Sequence, residues 1–180
     1  MSRNIELKVR YEDLDAARRI AEGAGATLLG VEEQVDSYFR VTEGRLKLRQ
    51  RRPQDSAEAC CELIWYRRSD KPGCRASDYL RVPVEDSGRL RTALAGALGI
   101  VAEVVKKRRV FLLDNVRIHL DEVAALGCFV EFEGIVDATC DDASARTKLE
   151  RLCGAFRIRP DEAIGVSYVD LLREGNSRGR

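Results

Sequence analysis

Histidine, tryptophan and net charge are what this 180-residue chain has least of: one of each ring, and a formal charge of +1. Each scarcity excludes something. With His119 as the sole imidazole and no C-x-x-C pair among six cysteines (Cys60, Cys61, Cys74, Cys128, Cys140 and Cys153), no ordinary zinc set can be assembled. A balance so near zero argues against binding long nucleic acid through bulk positive charge, so any anion site must come from local clustering. No apolar run approaches the roughly 18 residues of a membrane-crossing helix. No basic segment followed by an apolar one opens the chain, so no secretory signal is expected. There is no Gly-rich phosphate loop, no internal repeat and no βαβ rhythm. The expectation is a cytoplasmic protein, with no membrane and no nucleic-acid partner, whose cysteines are reduced and mostly small core residues.

What is present is an ordinary globular composition, 44% hydrophobic and 34% charged, long enough to bury a real core. Hydrophobic periodicity predicts a helix over 13–24, with Leu14, Ala17, Ile20 and Ala21 on one face. A second helix, capped by Asp86 or Ser87, carries Leu90, Leu94, Ala97 and Leu98 and stops at Gly99; a third spans 141–154, and "SYVDLL" reads as a short closing one. Strand patterns fall at 4–10, 28–41, 45–52, 59–68, 78–84, 101–113, 115–122 and 127–136, mostly joined by short turns. The chain therefore reads as one α+β domain over 1–174 with a flexible tail at 175–180. Its antiparallel sheet is large enough to close into an eight-stranded β-barrel flanked by helices.

The strands are unusual in their polar faces. "NIELKVR" puts Asn4, Glu6 and Lys8 on one side and Ile5, Leu7 and Val9 on the other. "GRLKLRQ" aligns Arg45, Lys47 and Arg49; "CELIWYRR" aligns Glu62, Ile64, Tyr66 and Arg68. Lys106 with Arg108, then Arg117 with His119 and Asp121, then Glu131 with Glu133, repeat the pattern. For a single strand, a solvated outer face is the ordinary reading. As a set, the stripes segregate by charge, whereas surface strands commonly mix the signs. Turned inward, they would line a tunnel in which acids and bases converge, with the apolar faces (Ile5, Leu7, Leu46, Leu48, Leu63, Trp65, Phe132) packed beneath helices outside. A dry, empty interior of that kind is prohibitively costly. It becomes reasonable when water, a polyanion and a divalent metal fill it, because Lys and Arg match phosphate oxygens and clustered carboxylates suit Mg²⁺ or Mn²⁺.

These same residues carry a family resemblance. The chain resembles the CYTH superfamily, the triphosphate tunnel metalloenzymes, in an E-x-E-x-K-like opening (Asn4, Glu6, Lys8), the Lys47–Arg49 strand, Lys106-x-Arg108, "RIHLD", "LGCFVEFE" and "SYVDLL". The motifs occur in order over nearly the whole chain. "RIHLDEV", "LGCFVEFE" and "SDY" at 77–79 are most similar to the class IV adenylate cyclase branch. The resemblance implies an eight-stranded tunnel in which Lys8, Lys47, Arg49, Arg68, Lys106, Arg108 and Arg117 hold phosphate oxygens. It implies Glu6, Asp121, Glu131 and Glu133 as ligands of Mg²⁺ or Mn²⁺, and catalysis centred on Glu6, Lys8, Glu131 and Glu133. Asn4, Glu62 and His119 would line the tunnel. The partner implied is a triphosphate-containing small molecule, ATP or inorganic triphosphate, acted on by a homodimer. Asn4 departs from the motif, which has a Glu there: either a tolerated variant, or a sign of altered metal number, altered chemistry or lost activity.

Three functions share this tunnel: cyclisation of ATP to cyclic AMP, hydrolysis of inorganic, thiamine or nucleoside triphosphate, and polyphosphate or nucleotide binding without turnover. Rivals rest on less. His119 as an acid–base catalyst competes with a structural His whose cationic neighbours lower its pKa. Tyr66 and Tyr79 as base-stacking groups compete with barrel packing. Arg49, Arg51 and Arg52 lack the interleaved aromatics of an RNA-binding patch.

Overall fold

The computed structural model describes residues 1–56 and 58–178. Among them stand eight strands: β1 (Ser2–Arg10), β2 (Thr27–Phe39), β3 (Arg45–Pro53), β4 (Cys60–Arg68), β5 (Arg75–Pro83), β6 (Ile100–Leu113), β7 (Val116–Val123) and β8 (Gly127–Val136). All pair antiparallel in the order β1-β5-β4-β3-β2-β6-β7-β8, and β8 returns to β1, so the sheet closes without an edge. Helices α1 (Leu14–Gly23), α2 (Ser87–Leu98), α3 (Asp142–Ala155) and α4 (Tyr168–Arg178) flank it, with a short 3-10 turn at Pro160–Glu162. The expected α+β barrel is the fold. No described helix is long and apolar enough to cross a membrane.

The first three helices start on acids. Asp13, Asp86 and Asp141 each accept a hydrogen bond from the backbone N–H three residues on, at 2.8, 2.9 and 2.8 Å. The main core lies outside the barrel. Ile5, Leu7 and Val9 of β1, Val116, Ile118 and Leu120 of β7, and Val130 and Phe132 of β8 are buried against Ala17 and Ala21 of α1 and Leu149 and Leu152 of α3. Period-two alternation thus delivers every second β1 residue to this core and its neighbours to the interior. A second cluster fills one end of the barrel from within. Tyr38, Ile64, Tyr66, Val104, Val123 and Phe129 meet Tyr168 and Val169, so α4 closes that end. Its approach is tight: a Cβ on Gly165 would sit 2.1 Å from the Asp70 carbonyl oxygen.

Several expectations need correction. Not every outward apolar face lies beneath a helix. Leu48 is buried, but Leu46, Leu63 and Trp65 are only partly covered, and Leu80 and Val82 of β5 are exposed. The reason is placement: α1 and α3 dock on β7, β8 and β1, and α2 on β2 and β3. Strand β5 starts at Arg75, three residues before the expected Asp78. "RAS" has little intrinsic β preference, but the cross-strand pairing of Arg75 with Glu6 and Ser77 with Asn4 recruits it. All six cysteines are free, yet only Cys140 is buried and Cys60 is exposed, so most are not core residues. Helix α4 continues through residues 175–178 of the expected tail, and 179–180 lie outside the described residues.

Candidate functional site

The polar stripes face inward. The barrel encloses a cavity of about 440 Å³ whose wall includes Asn4, Glu6 and Lys8 of β1; Glu32 and Gln34 of β2; Lys47, Arg49 and Arg51 of β3; and Glu62 and Arg68 of β4. Ser77, Tyr79 and Arg81 of β5, Lys106 and Arg108 of β6, Arg117 and His119 of β7, and Glu131 and Glu133 of β8 complete the ring, with Tyr168 of α4 at its closed end. Of the residues that the family resemblance assigned to the site, Asp121 is absent from this wall, and so is Arg45 of the Lys47–Arg49 stripe.

The cations fall into two kinds. Lysines are buried and under-neutralised. Burial, with the Arg49 guanidinium beside it, pushes the Lys47 ammonium down to about 7; burial and Arg108 push Lys106 down to about 8. Burial likewise lowers Lys8 to about 7, opposed by Glu131. Lys8 Nζ donates to the Val166 carbonyl at 2.7 Å and lies 4.2 Å from the centre of the Tyr168 ring. Arginines are clamped. Arg49 Nε and Nη2 donate to the two Asp36 oxygens at 2.7 and 2.8 Å, and Arg108 Nε and Nη2 to those of Asp121 at 2.6 and 2.5 Å. Each clamp leaves the arginine Nη1 outside the fork.

The carboxylates differ in how fully they are engaged. Glu6 accepts from Arg68 and, at 3.1 Å, from Arg75 Nε. Glu133 accepts from Asn4 Nδ2 and, at 3.0 Å, from Arg117 Nη1. Glu62 is held by Arg81 at 2.5 Å. Asp121 is fully covered and also accepts from Tyr168 Oη at 2.9 Å, so this acid, expected among the metal ligands, is occupied by protein donors. Glu131 is the least committed, with Arg108 Nη2 at 3.3 Å. Burial works against its charge, but Arg108 first, and then Lys8 and Lys106, hold it well below the usual carboxylate range. His119 is a neutral imidazole: burial and then Arg108 push its pKa well below the ordinary value, and its Nδ1 has no hydrogen-bond partner.

Among the described residues, no three acid, histidine or cysteine side chains come close enough to enclose an ion by themselves. The donor chemistry still suits a hard divalent cation. Glu131 and Glu133 project from the same face of β8, and Mg²⁺ commonly takes one or two carboxylates while phosphate oxygens and water fill its other positions. Polar groups of the wall missed in the sequence include Glu32, Gln34 and Arg81, and two more, Asp36 and Arg75, bind wall residues without lining the cavity themselves. The stretch "EEQVDSYF" alternates Glu32, Gln34, Asp36 and Tyr38 on one face, a signal obscured because Glu33 and Ser37 make the opposite face polar as well. Arg75 was hidden by the misplaced start of β5.

Residues 2–163 match the family described as the CYTH domain. No curated protein matches the chain. Among solved structures, the PH1012 protein of Pyrococcus horikoshii OT3 is similar at 21% identity and TM-score 0.77, covering 95% of this chain and 99% of that one. A candidate adenylate cyclase from Vibrio parahaemolyticus shares 18% identity and TM-score 0.71, over 94% and 97% of the two chains. The Hippeastrum protein HpAC1, a candidate adenylyl cyclase described with a dominant triphosphatase activity, shares 14% identity and TM-score 0.58, over 97% and 96%. At these identities the likeness is one of fold.

Proposed function

The chain belongs to the CYTH domain family, and from that premise we propose that it is a divalent-metal-dependent enzyme that cyclises ATP to cyclic AMP and pyrophosphate inside the barrel. The observation that carries this reading is the barrel cavity, where cations from β1, β3, β6 and β7 converge around the Glu131–Glu133 pair of β8. Lys8, Lys47 and Lys106, with the remaining donors of Arg49, Arg68, Arg108 and Arg117, hold the triphosphate oxygens. Glu131 and Glu133, with Glu6 beside them in register across β1, hold Mg²⁺ or Mn²⁺. That ion, when bound, lowers the pKa of the attacking hydroxyl and neutralises charge on the phosphates.

In the step itself the ribose 3′-oxygen forms a bond to the α-phosphorus as the bond to the bridging oxygen of the β-phosphate breaks. The hydroxyl proton passes to solvent, and pyrophosphate leaves with the bonding pair. The protein contributes alignment and charge: fixed cations already aimed at the leaving group need no reorganisation as its charge develops. An apolar stretch of the wall, Leu29, Val31, Pro53 and Val110, supports an organic group on the substrate.

Hydrolysis is the second reading. It uses the same residues with water attacking the terminal phosphorus, and the triphosphatase activity described for the similarly folded Hippeastrum protein favours it. Incubation with ATP or inorganic triphosphate and Mg²⁺ or Mn²⁺ separates the readings. Cyclic AMP with pyrophosphate supports cyclisation, and orthophosphate supports hydrolysis. Binding without any product leaves a non-catalytic module in which Asn4 marks a lost carboxylate.

A further inference from the structure

The tunnel contains an acid that neither substrate nor metal is positioned to use. Asp36 is 1% exposed and absent from the cavity wall, yet it touches three of the cations that line it. Arg49 grips both its oxygens, Lys47 Nζ donates to Oδ2 at 3.0 Å, and Lys106 Nζ lies 3.8 Å from the same oxygen. The backbone sets this up, since Asp36 lies directly across from Arg49 in the β2–β3 register. Asp121 repeats the arrangement two strands away, directly across from Arg108 in the β6–β7 register and 3.9 Å from Lys106. The result is a row of alternating sign, Arg49–Asp36–Lys106–Asp121–Arg108, running around four adjacent strands, with the three cations on the cavity wall and the two acids behind them.

We propose that Asp36 is a positioning residue: it fixes Arg49, Lys47 and Lys106 as a rigid array that grips the triphosphate, and it contacts neither metal nor substrate. This rests on the triphosphate reading above. Without a fixed acid, three cations within a few ångströms would repel and splay, and the lysines would hold their protons still more weakly before any anion arrived. Rigid donors lose less freedom on binding than mobile ones, so the clamp raises affinity although its own charge opposes the anion. The rival roles predict different signs. An acid that merely opposed the anion would, when removed, leave binding stronger. A metal ligand, when removed, would leave metal-free binding unchanged.

The test is calorimetric titration of inorganic triphosphate into the whole chain in EDTA, wild type against Asp36→Asn, with circular dichroism confirming the fold. The expected result is affinity weaker by about ten-fold or more at pH 8 in the variant. The ratio to wild type should narrow at pH 6. Lys47 faces Asp36 and Tyr38 on β2, Arg49 on β3, Tyr66 on β4 and Lys106 on β6, and only Asp36 among these supplies negative charge at that pH. Affinity unchanged or increased at pH 8 overturns the proposal. Should Asp36→Asn not fold, Arg49→Lys carries the same question, because it keeps the charge but cannot take both carboxylate oxygens. Weaker binding is expected, and equal binding overturns the proposal. Failure of wild type to bind triphosphate would instead defeat the functional reading itself.

Discussion

Lys47 shows what a single side chain costs and contributes here. Its ammonium is buried and partly discharged at neutral pH, a poor arrangement for stability and a good one for receiving an anion. Lys47→Met leaves Asp36 clamped by Arg49, so the unliganded melting temperature should hold or rise while triphosphate affinity falls about ten-fold or more. A fall in both would make Lys47 a structural residue. Glu131→Gln should raise the Mg²⁺ or Mn²⁺ concentration needed for half-maximal turnover by roughly ten-fold. Unchanged metal dependence would remove Glu131 from the metal site. At this scale the inward stripes were readable, because two-residue alternation assigns a face with no knowledge of the partner strand. What stayed hidden was pairing. Asp121 shares a face with Arg117 and His119 exactly as a ligand would, and only the β6–β7 register shows that Arg108 occupies it.

Among the elements, α4 and the segment before it decide how the tunnel ends. Lys8 donates to Val166 O, Arg75 Nη1 donates to Ile164 O at 2.7 Å, and Asp170 of α4 accepts from Arg45 at 2.8 Å. The closure is therefore stitched to β1 and β3, which carry Lys8, Lys47 and Arg49, and to β5. Gly165 lets this segment pass over the β4–β5 loop, and Gly165→Ala would push a methyl group into the Asp70 backbone. The expected loss of stability is about 1–3 kcal/mol, read by chemical denaturation, with a weaker triphosphate affinity as the closure shifts. Neutral stability would mean the loop simply moves aside. "SYVDLL" announced a helix, but its role as a plug was not readable, because it depends on apolar side chains such as Val104 and Phe129 that face the interior at one end of strands otherwise polar within.

For the whole molecule, the barrel inverts the usual arrangement, with its main core between sheet and helices and its charge inside. That inversion has a pH signature. Lys47 and Lys106 titrate near 7 and 8 when folded, against an ordinary 10.5, so the unfolded chain binds more protons between those values. Unliganded stability should therefore rise with pH from roughly 7 to 9, where carboxylates are already ionised, measured as a rising melting temperature. A flat or falling profile would mean these ammonium groups are not desolvated. Bound triphosphate reverses the effect, because its charge holds the lysines protonated. The most direct test of the account is calorimetric titration of inorganic triphosphate at pH 8 in two buffers of different ionisation enthalpy. Saturable binding to one site with net uptake of protons, greatly weakened in Lys47→Met, is the predicted result. No binding, or binding that Lys47→Met leaves intact, would contradict it.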